Sequence, residues 1–248
     1  MTEHPRSDQV HLVLDASRAS ITFDRPRVGN ALSASMVEDI ELAVDNAESA
    51  GARLLVFRGN GRHFCTGFDL SDLNASSDGD LLLRFVRVEQ LLQRIYRSPI
   101  TTVAIAKGRV FGAGADLFAA CDRRIALPGA SFAFPGPGFG LILGTRRLAT
   151  RIGCDATRRI LLSGGEMHLE AASRCGLVTD VSAETEIDAL IDDIWRAAIR
   201  LSAATVAAIH EATASRSDEG DLAALVTSAS YPGLKDRIVK YRADALKK

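Results

Sequence analysis

The chain lacks paired cysteines, although its 248 residues include four of them. Cys65, Cys121, Cys154 and Cys175 lie far apart, and no two of them form a Cys-x-x-Cys motif. Zinc ribbons need closely spaced thiolates, and small disulfide-stabilised domains need a denser cysteine framework. We therefore expect neither kind of protein, and predict that the four thiols pack as small apolar side chains.

Motifs that would bind a catalytic metal are also missing from the sequence. The five histidines show no His-Glu-x-x-His or related spacing. Such spacing places two imidazoles on one helix face, where they can share a zinc ion. We therefore predict that the protein contains no metal site and needs no bound cofactor.

Neither sign of charge dominates, because 30 basic residues face 31 acidic ones and the formal net charge is -1. This balance produces no field that would recruit nucleic acid or an anionic membrane. Residues 1–9 are polar, and no apolar run reaches the roughly 18 residues that a bilayer span needs. We expect a cytoplasmic protein with no nucleic-acid partner and no membrane partner.

The first half of the chain alternates strand-like and helix-like runs, which predicts an α/β fold. Ser33 or Ser35 can cap a first helix that Gly51 ends, and a second helix is expected over about 80–97. The Ser/Asp/Gly-rich stretch 74–79 predicts a surface loop that could cover a ligand. The predicted strands span residues 11–14, 20–23, 54–58, 102–105 and 124–126.

From about Glu166 onward the pattern predicts helices only, in Ala-rich amphipathic stretches. A helical region that follows an α/β core in a compact protein suits packing between subunits. We therefore predict a homo-oligomer. The predicted helices of this region span residues 184–201, 204–214, 219–228 and 234–246.

Two glycine-bearing segments, 57–70 and 108–122, each follow a strand-like run directly. In the second, the small residues 112–115 open an apolar helix, whose first N–H groups are unpaired and lie at the positive end of the helix dipole. If the N–H of Phe68 points to the same place, two donors converge, as the stabilisation of an oxyanion or enolate requires. Alternatively, the glycines only permit tight turns and close packing of helix on sheet.

Other glycine motifs fit these segments poorly. Gly112-Ala113-Gly114 has no third glycine at the spacing of a dinucleotide fingerprint, and 59–67 lacks the Gly-Lys-Ser/Thr ending of a phosphate loop. No Gly-x-Ser-x-Gly motif of a hydrolase is present. The pair of segments therefore indicates a site built from main-chain amides.

Four motifs in fixed order give the chain a family resemblance. They are Arg25-Pro26 followed by Asn30-Ala31-Leu32; Phe64-Cys65-Thr66-Gly67-Phe68-Asp69-Leu70; Gly112-Ala113-Gly114-Ala115-Asp116; and Gly164 to Val181, with Cys175-Gly176-Leu177-Val178. Together they resemble the crotonase, or enoyl-CoA hydratase/isomerase, superfamily. The resemblance implies the α/β spiral of ββα units shared by ClpP and crotonase. It further implies two regions, a core with an acyl-CoA site in residues 1–190 and a helical trimerisation region in residues 191–248. The expected assembly is a trimer or a dimer of trimers, and the expected substrate is a coenzyme A thioester.

The resemblance also implies roles for individual residues. Phe68 and Ala113 would supply the N–H groups of an oxyanion hole. Residues of the terminal helix would meet the nucleotide of a neighbouring subunit, although they could equally form a solvated basic helix end: Lys240, Tyr241 and Arg242. The coenzyme A and substrate path would be lined by Arg27, Val28, Thr66, Gly67, Asp69, Leu70, Gly112, Pro135 and Gly136.

Two departures from the family pattern concern proton transfer. Family hydratases use two carboxylates around one water, because adding water to a conjugated double bond moves protons at two places. Asp116 stands where the first Glu is expected, and Gly136 replaces the second acid in a Phe-x-x-Pro-Glu motif. The following loop, 140–148, is shorter than in the family. Standard hydration is therefore not expected.

We predict that Asp116 is the sole remaining general acid/base for a reaction through a thioester enolate, with a simple helix-capping role as the alternative. Glu89 or Asp72 could replace the missing acid. At the level of the whole protein, the alternatives are an enzyme acting on an acyl- or enoyl-CoA, a catalytically degenerate acyl-CoA-binding protein, and a purely structural protein.

Overall fold

The computed structural model describes residues 9–213, 218–245 and 247. Its main sheet has six strands in the order β1-β2-β3-β4-β6-β9. The first two strands are antiparallel, and every later pair of neighbours is parallel. These strands are β1 (Val10–Asp15), β2 (Arg18–Phe23), β3 (Leu54–Gly59), β4 (Thr101–Ala106), β6 (Arg123–Ala126) and β9 (Asp180–Val181).

A second, three-stranded sheet lies beside the chain's glycine-bearing segments. It consists of β5 (Arg109–Phe111), β7 (Ser131–Ala133) and β8 (Met167–His168), with β5 parallel and β8 antiparallel to β7. Apolar side chains of both sheets share the largest buried cluster, which includes Phe57 and Phe132. The second sheet is therefore part of the same core.

The helices begin and end where local signals predict. The hydroxyl of Ser33 accepts a hydrogen bond from the Met36 N–H at the start of α1, and Ser77 and Asp80 form a capping box at the start of α2. The helices are α1 (Ala34–Ser49), α2 (Asp78–Tyr96), α3 (Ala113–Ala120), α4 (Thr145–Ile152), α5 (Cys154–Ser163), α6 (Leu169–Arg174), α7 (Ile187–Arg200), α8 (Ala203–Thr213), α9 (Asp218–Ala229) and α10 (Leu234–Ala245).

The helical C-terminal region packs on the core in two places. Ile187, Ile191 and Ile194 of α7 cover one face of the main sheet, so the predicted boundary after residue 190 falls inside this helix. Helices α9 and α10 instead pack against α2 through a second apolar cluster. Within residues 9–213 and 218–245, no helix is both long and apolar enough to cross a membrane.

The structure confirms the α/β prediction and places all five predicted strands within two residues of their observed bounds. Of the two serines predicted to cap α1, Ser33 is the cap. Three details were wrong. The predicted loop 74–79 is shorter, since Asp78 and Gly79 belong to α2. The region after Glu166 is not wholly helical, because it contains β8 and β9. Cys154 is exposed, while Cys65 and Cys121 are buried. Residues 214 and 246, at predicted helix ends, lie outside the described residues.

Candidate active site

The two glycine-bearing turns lie side by side. Cys65 and Val110 form an isolated parallel bridge, and the Phe111 N–H donates to the Cys65 carbonyl over 3.0 Å. Glycine permits this approach at two points. A Cβ atom on Gly114 would overlap the Cys65 carbonyl, and one on Gly67, where φ is +99°, would stand 3.4 Å from the Ala113 nitrogen. The main chains of the two turns are therefore in direct contact.

Buried polar groups hold the first turn from its other side. The Asn30 side chain is fully buried and donates to the carbonyl oxygens of Asn60 and His63 while accepting from the Arg25 N–H. Arg25 in turn binds the Asp69 carboxylate at 2.8 Å. Although burial opposes the shift, the Ser71 N–H and the Arg25 guanidinium hold the pKa of Asp69 below its ordinary value. Asp69 is thus a structural anchor of this turn.

Two main-chain amides face the space beside these turns. The Leu32 N–H donates to the Gly67 carbonyl and the Asp69 N–H donates to the Leu32 carbonyl, so the intervening Phe68 N–H points to the opposite side of the extended segment. That side carries the second turn. There, Ala113 is the first residue of α3, where an N–H has no intrahelical acceptor. Within the described residues, neither amide has a backbone acceptor.

An apolar pocket opens at these amides. Asp116 is the one carboxyl-bearing residue among the described residues that line it. Its opposite wall comes from the loop after β7 and from α10, which the Arg237 guanidinium fastens by donating to the carbonyls of Phe139, Ser228 and Tyr231. The lining residues are Thr66, Gly67, Phe68, Leu70, Phe85, Gly112, Ala113, Asp116, Phe134, Pro135, Gly136, Phe139, Leu141, Leu143, Ile238, Tyr241 and Arg242.

The carboxyl of Asp116 lies in the first turn of α3 and is 5 % exposed. It rests against Gly144, where a Cβ atom would overlap it. Burial raises the pKa of Asp116 well above its ordinary value; the positive charge of Arg147 opposes this shift and the negative charge of Glu89 adds to it. The pocket therefore favours the protonated form of this carboxyl more than water does.

A buried ion pair lies behind Asp116. Arg147 and Glu89 are 2 % and 1 % exposed, and the guanidinium binds both carboxylate oxygens, at 2.8 and 2.5 Å. Gln93 donates to the same carboxylate at 2.9 Å. Because its oxygens are occupied and it does not line the pocket, Glu89 is not placed to replace the missing acid. Asp72 is not placed to do so either, since it pairs with Arg84 on the surface and lies outside the pocket.

Little room is left for a side chain at the position of the family's second acid. Gly136 begins a short 3-10 turn, and its carbonyl accepts from the Leu141 N–H at 2.9 Å. A Cβ atom on Gly136 would stand 3.1 Å from the Leu141 carbonyl oxygen. A side chain at position 136 would therefore require the Leu141 carbonyl to shift by a few tenths of an ångström.

Most of the residues predicted from sequence lie at the pocket, but four do not line it. Arg27 and Val28 are exposed, with the Val28 carbonyl accepting from the Thr66 hydroxyl. Asp69 is buried in its turn, and Lys240 lines a neighbouring cleft. Tyr241 and Arg242 line the pocket of their own chain. Sequence reasoning missed the walls formed by Phe85, Leu141 and Ile238, and it missed the pairing of Glu89 with Arg147.

One sequence signal could have located that ion pair. Glu89 falls on the apolar face of α2, in step with Leu81, Phe85 and Leu92. A carboxylate at such a position is buried and requires a partner. The identity of the partner depends on the fold, because Arg147 is 58 residues away. No group of three or more metal-binding side chains occurs within the described parts of the chain.

The mostly parallel sheet, with two glycine-bearing turns in contact beside an apolar pocket, defines an α/β protein. Comparison with known proteins gives the family. The enoyl-CoA hydratase/isomerase family model matches residues 14–229. The chain belongs to this family, within the crotonase superfamily, and its fold is the crotonase fold.

Individual relatives support the same assignment. A crystal structure from Bordetella parapertussis, described as an enoyl-CoA hydratase/isomerase, is 46% identical, with a TM-score of 0.93 over 96% of this chain and 99% of that one. A probable enoyl-CoA hydratase of Rhodobacter capsulatus is 35% identical over 72% of this chain and 69% of its own length. The probable enoyl-CoA hydratase echA6 of Mycobacterium tuberculosis is 33% identical over 72% and 73%.

Proposed function

We propose that the protein is an enzyme acting on an acyl- or enoyl-CoA, which holds the thioester oxygen between the N–H groups of Phe68 and Ala113. The observation that carries the proposal is the juxtaposition of these two amides at an apolar pocket with Asp116. A thioester enolate places negative charge on its oxygen, and one preorganised donor contributes about 3 kcal/mol of transition-state stabilisation.

Asp116 is the proton-transferring group in this proposal. As a carboxylate it removes a proton from a carbon of the acyl group and becomes a carboxylic acid, and it then returns that proton to a carbon of the enolate. Burial, which raises the pKa of Asp116, favours the acid form that donates. Hydration by two carboxylates is not supported, since Gly136 has no side chain and Asp116 is the one carboxyl-bearing residue among the described residues that line the pocket. Double-bond migration, decarboxylation and hydrolysis stay within the range of this pocket.

A catalytically degenerate acyl-CoA-binding protein is the second candidate. The observation that favours it is Gly136, because binding a thioester in a main-chain anion site needs no carboxylate at that position. The two candidates differ in what Asp116 does. In the enzyme this residue transfers a proton, whereas in the binding protein it only fills the pocket wall.

Turnover and binding must be measured side by side. Loss of crotonyl-CoA absorbance and product analysis on a panel of acyl- and enoyl-CoAs report turnover, and calorimetry with the same ligands reports affinity. For the enzyme, Asp116→Asn lowers kcat/KM on the active substrate by roughly 100-fold or more, with affinity retained. Full turnover by this variant rejects the role of Asp116. Tight binding without turnover by the wild type establishes the second candidate.

The proposal also includes a homo-oligomer, a trimer or a dimer of trimers, in the cytoplasm and without a bound cofactor. Exposed apolar side chains support the oligomer: Leu162 of α5 is 86 % exposed, and Leu201, directly after α7, and Ile209 of α8 are also exposed. Lys240, Tyr241 and Arg242 would then lie near the nucleotide of a neighbouring subunit as well as at their own pocket. Light scattering of the purified protein measures the subunit number.

A further inference from the structure

Phe68 differs in size from the residue that its motif leads one to expect. The family turn has alanine after its glycine, whereas this chain has a phenylalanine whose ring enters the pocket. The ring stacks on Phe85 of α2, with centroids 4.1 Å apart and planes inclined by 22°. The Arg84 guanidinium lies 4.2 Å from the centroid of the Phe68 ring.

The ring is held in this position by a chain of polar contacts. Arg84 donates to the Asp72 carboxylate and to the Asp69 carbonyl, each over 2.7 Å. The guanidinium that contacts the ring is therefore fixed to the same turn that carries Phe68. Phe85 is 2 % exposed and belongs to the apolar cluster between α2, α9 and α10. Any rotation of the Phe68 ring would break the stack and the cation–π contact together.

Phe68 lines the same pocket as Phe85, Leu141 and Ile238, and its ring packs against the apolar cluster that contains those three residues. One residue therefore supplies both the N–H that is proposed to bind the thioester oxygen and a large side chain at the pocket. With the thioester oxygen held at that N–H, an acyl chain would enter the pocket beside the Phe68 side chain.

We propose that Phe68 limits the length of the acyl chain, so that the pocket accepts short acyl-CoAs and excludes long ones. This inference rests on the proposed function. Phe68 and Phe85 fill, as one stacked pair, the volume that the distal methylenes of a longer chain would need. Because the pocket wall is closely packed, we expect affinity to fall sharply once the acyl chain exceeds the available length. One methylene in an apolar pocket changes binding by about 10- to 200-fold.

The test compares acyl-CoAs of increasing chain length, from butyryl to decanoyl, by titration calorimetry. For the wild type, affinity is highest for the short chains and falls for octanoyl-CoA. In Phe68→Ala, the ratio of the octanoyl to the butyryl dissociation constant decreases by about tenfold or more. Phe68→Leu, which keeps most of the apolar contact with the turn, gives an intermediate ratio and ensures a folded variant. Leu83→Ala, on the exposed face of α2, leaves the ratio unchanged.

Two results overturn the proposal while leaving the proposed function intact. They are an unchanged ratio in folded Phe68→Ala and Phe68→Leu, and a wild type that binds decanoyl-CoA as tightly as butyryl-CoA. If the wild type binds no acyl-CoA of any length, the proposed function fails, and the inference fails with it. Circular dichroism of each variant establishes that the folded protein is compared.

Discussion

Gly67 lies so close to Phe111 that a Cβ atom on the glycine would stand 2.8 Å from the Phe111 carbonyl oxygen. We expect Gly67→Ala to push the two turns apart and to separate the Phe68 and Ala113 amides. The loss of one donor lowers kcat/KM by roughly 100-fold. Acyl-CoA titration and steady-state kinetics measure the effect.

Gly129→Ala is the matched control for this change. Gly129 also has a positive φ, +82°, but a Cβ atom there would meet no other group within 4 Å. Both substitutions introduce backbone strain of about 1–3 kcal/mol, and only Gly67→Ala disturbs the site. Equal acyl-CoA affinity in the two variants would show that the turns do not form the binding site.

Asp116→Asn is expected to stabilise the fold at neutral pH. The unfolded Asp loses its proton as the pH rises past about 4, whereas the buried carboxyl keeps its proton to a higher pH. The folded wild type therefore binds more protons than the unfolded chain above pH 4, and its free energy of unfolding falls as the pH rises. Asn does not titrate, so the free energy of unfolding of the variant exceeds that of the wild type at pH 7.5. This difference decreases as the pH falls toward 4.

Urea unfolding at several pH values measures this difference. Asp155→Asn serves as the control for the same chemical change at an exposed position, because the Asp155 side chain is 99 % exposed. A constant difference between Asp116→Asn and the wild type from pH 4 to 7.5 would contradict the prediction.

Glu89→Gln should destabilise the protein strongly, because it leaves the buried guanidinium of Arg147 without a full counter-charge. We expect a loss of about 3–5 kcal/mol in the free energy of unfolding. The double variant Glu89→Met with Arg147→Met should recover most of this loss, since it removes both charges. Asp193→Asn breaks the exposed pair with Arg196 and should change stability by less than about 1 kcal/mol. If Glu89→Gln and Asp193→Asn lowered the free energy of unfolding by similar amounts, burial of the Glu89–Arg147 pair would not explain the loss.

Gly136→Glu, which restores the residue type of the family motif, should not create hydration of crotonyl-CoA. The new side chain would begin against the Leu141 carbonyl, so the loop would have to move before the carboxylate could approach the substrate. The absorbance assay for crotonyl-CoA measures the outcome. Gly165→Glu, at a site where a Cβ atom has no neighbour within 4 Å, controls for the added charge. If Gly136→Glu hydrated crotonyl-CoA and Gly165→Glu did not, the loop that carries Leu141 would be shown to move readily, and the prediction would be wrong.

The elements of the core could be predicted because each carries a local pattern. Strand β3 is a run of apolar residues, and α1 repeats buried side chains such as Met36, Ile40 and Val44 at helical spacing. Strands β8 and β9 have only two residues each, which is too short for any periodicity to appear. Their existence depends on pairing with distant strands, and local sequence does not encode that pairing.

Some parts of the candidate site could likewise be predicted from the sequence, and others could not. Its amides and Asp116 could be located from sequence because they belong to contiguous turns that resemble family motifs. The surroundings that decide the proton affinity of Asp116 could not, since Glu89 and Arg147 reach it from α2 and α4. The sequence of the shortened loop also did not reveal that the Leu141 carbonyl would lie close to the Cβ position of Gly136.

The attachment of α10 through Arg237 affects the order in which a newly made chain becomes competent to bind ligand. Both amides, and Asp116, are encoded within the first half of the sequence, but Ile238, Tyr241 and Arg242 close the pocket from α10. During translation, the two glycine-bearing turns therefore leave the ribosome before the helix that covers the pocket. A chain truncated before α10 would present this site to solvent, where water competes for the amides.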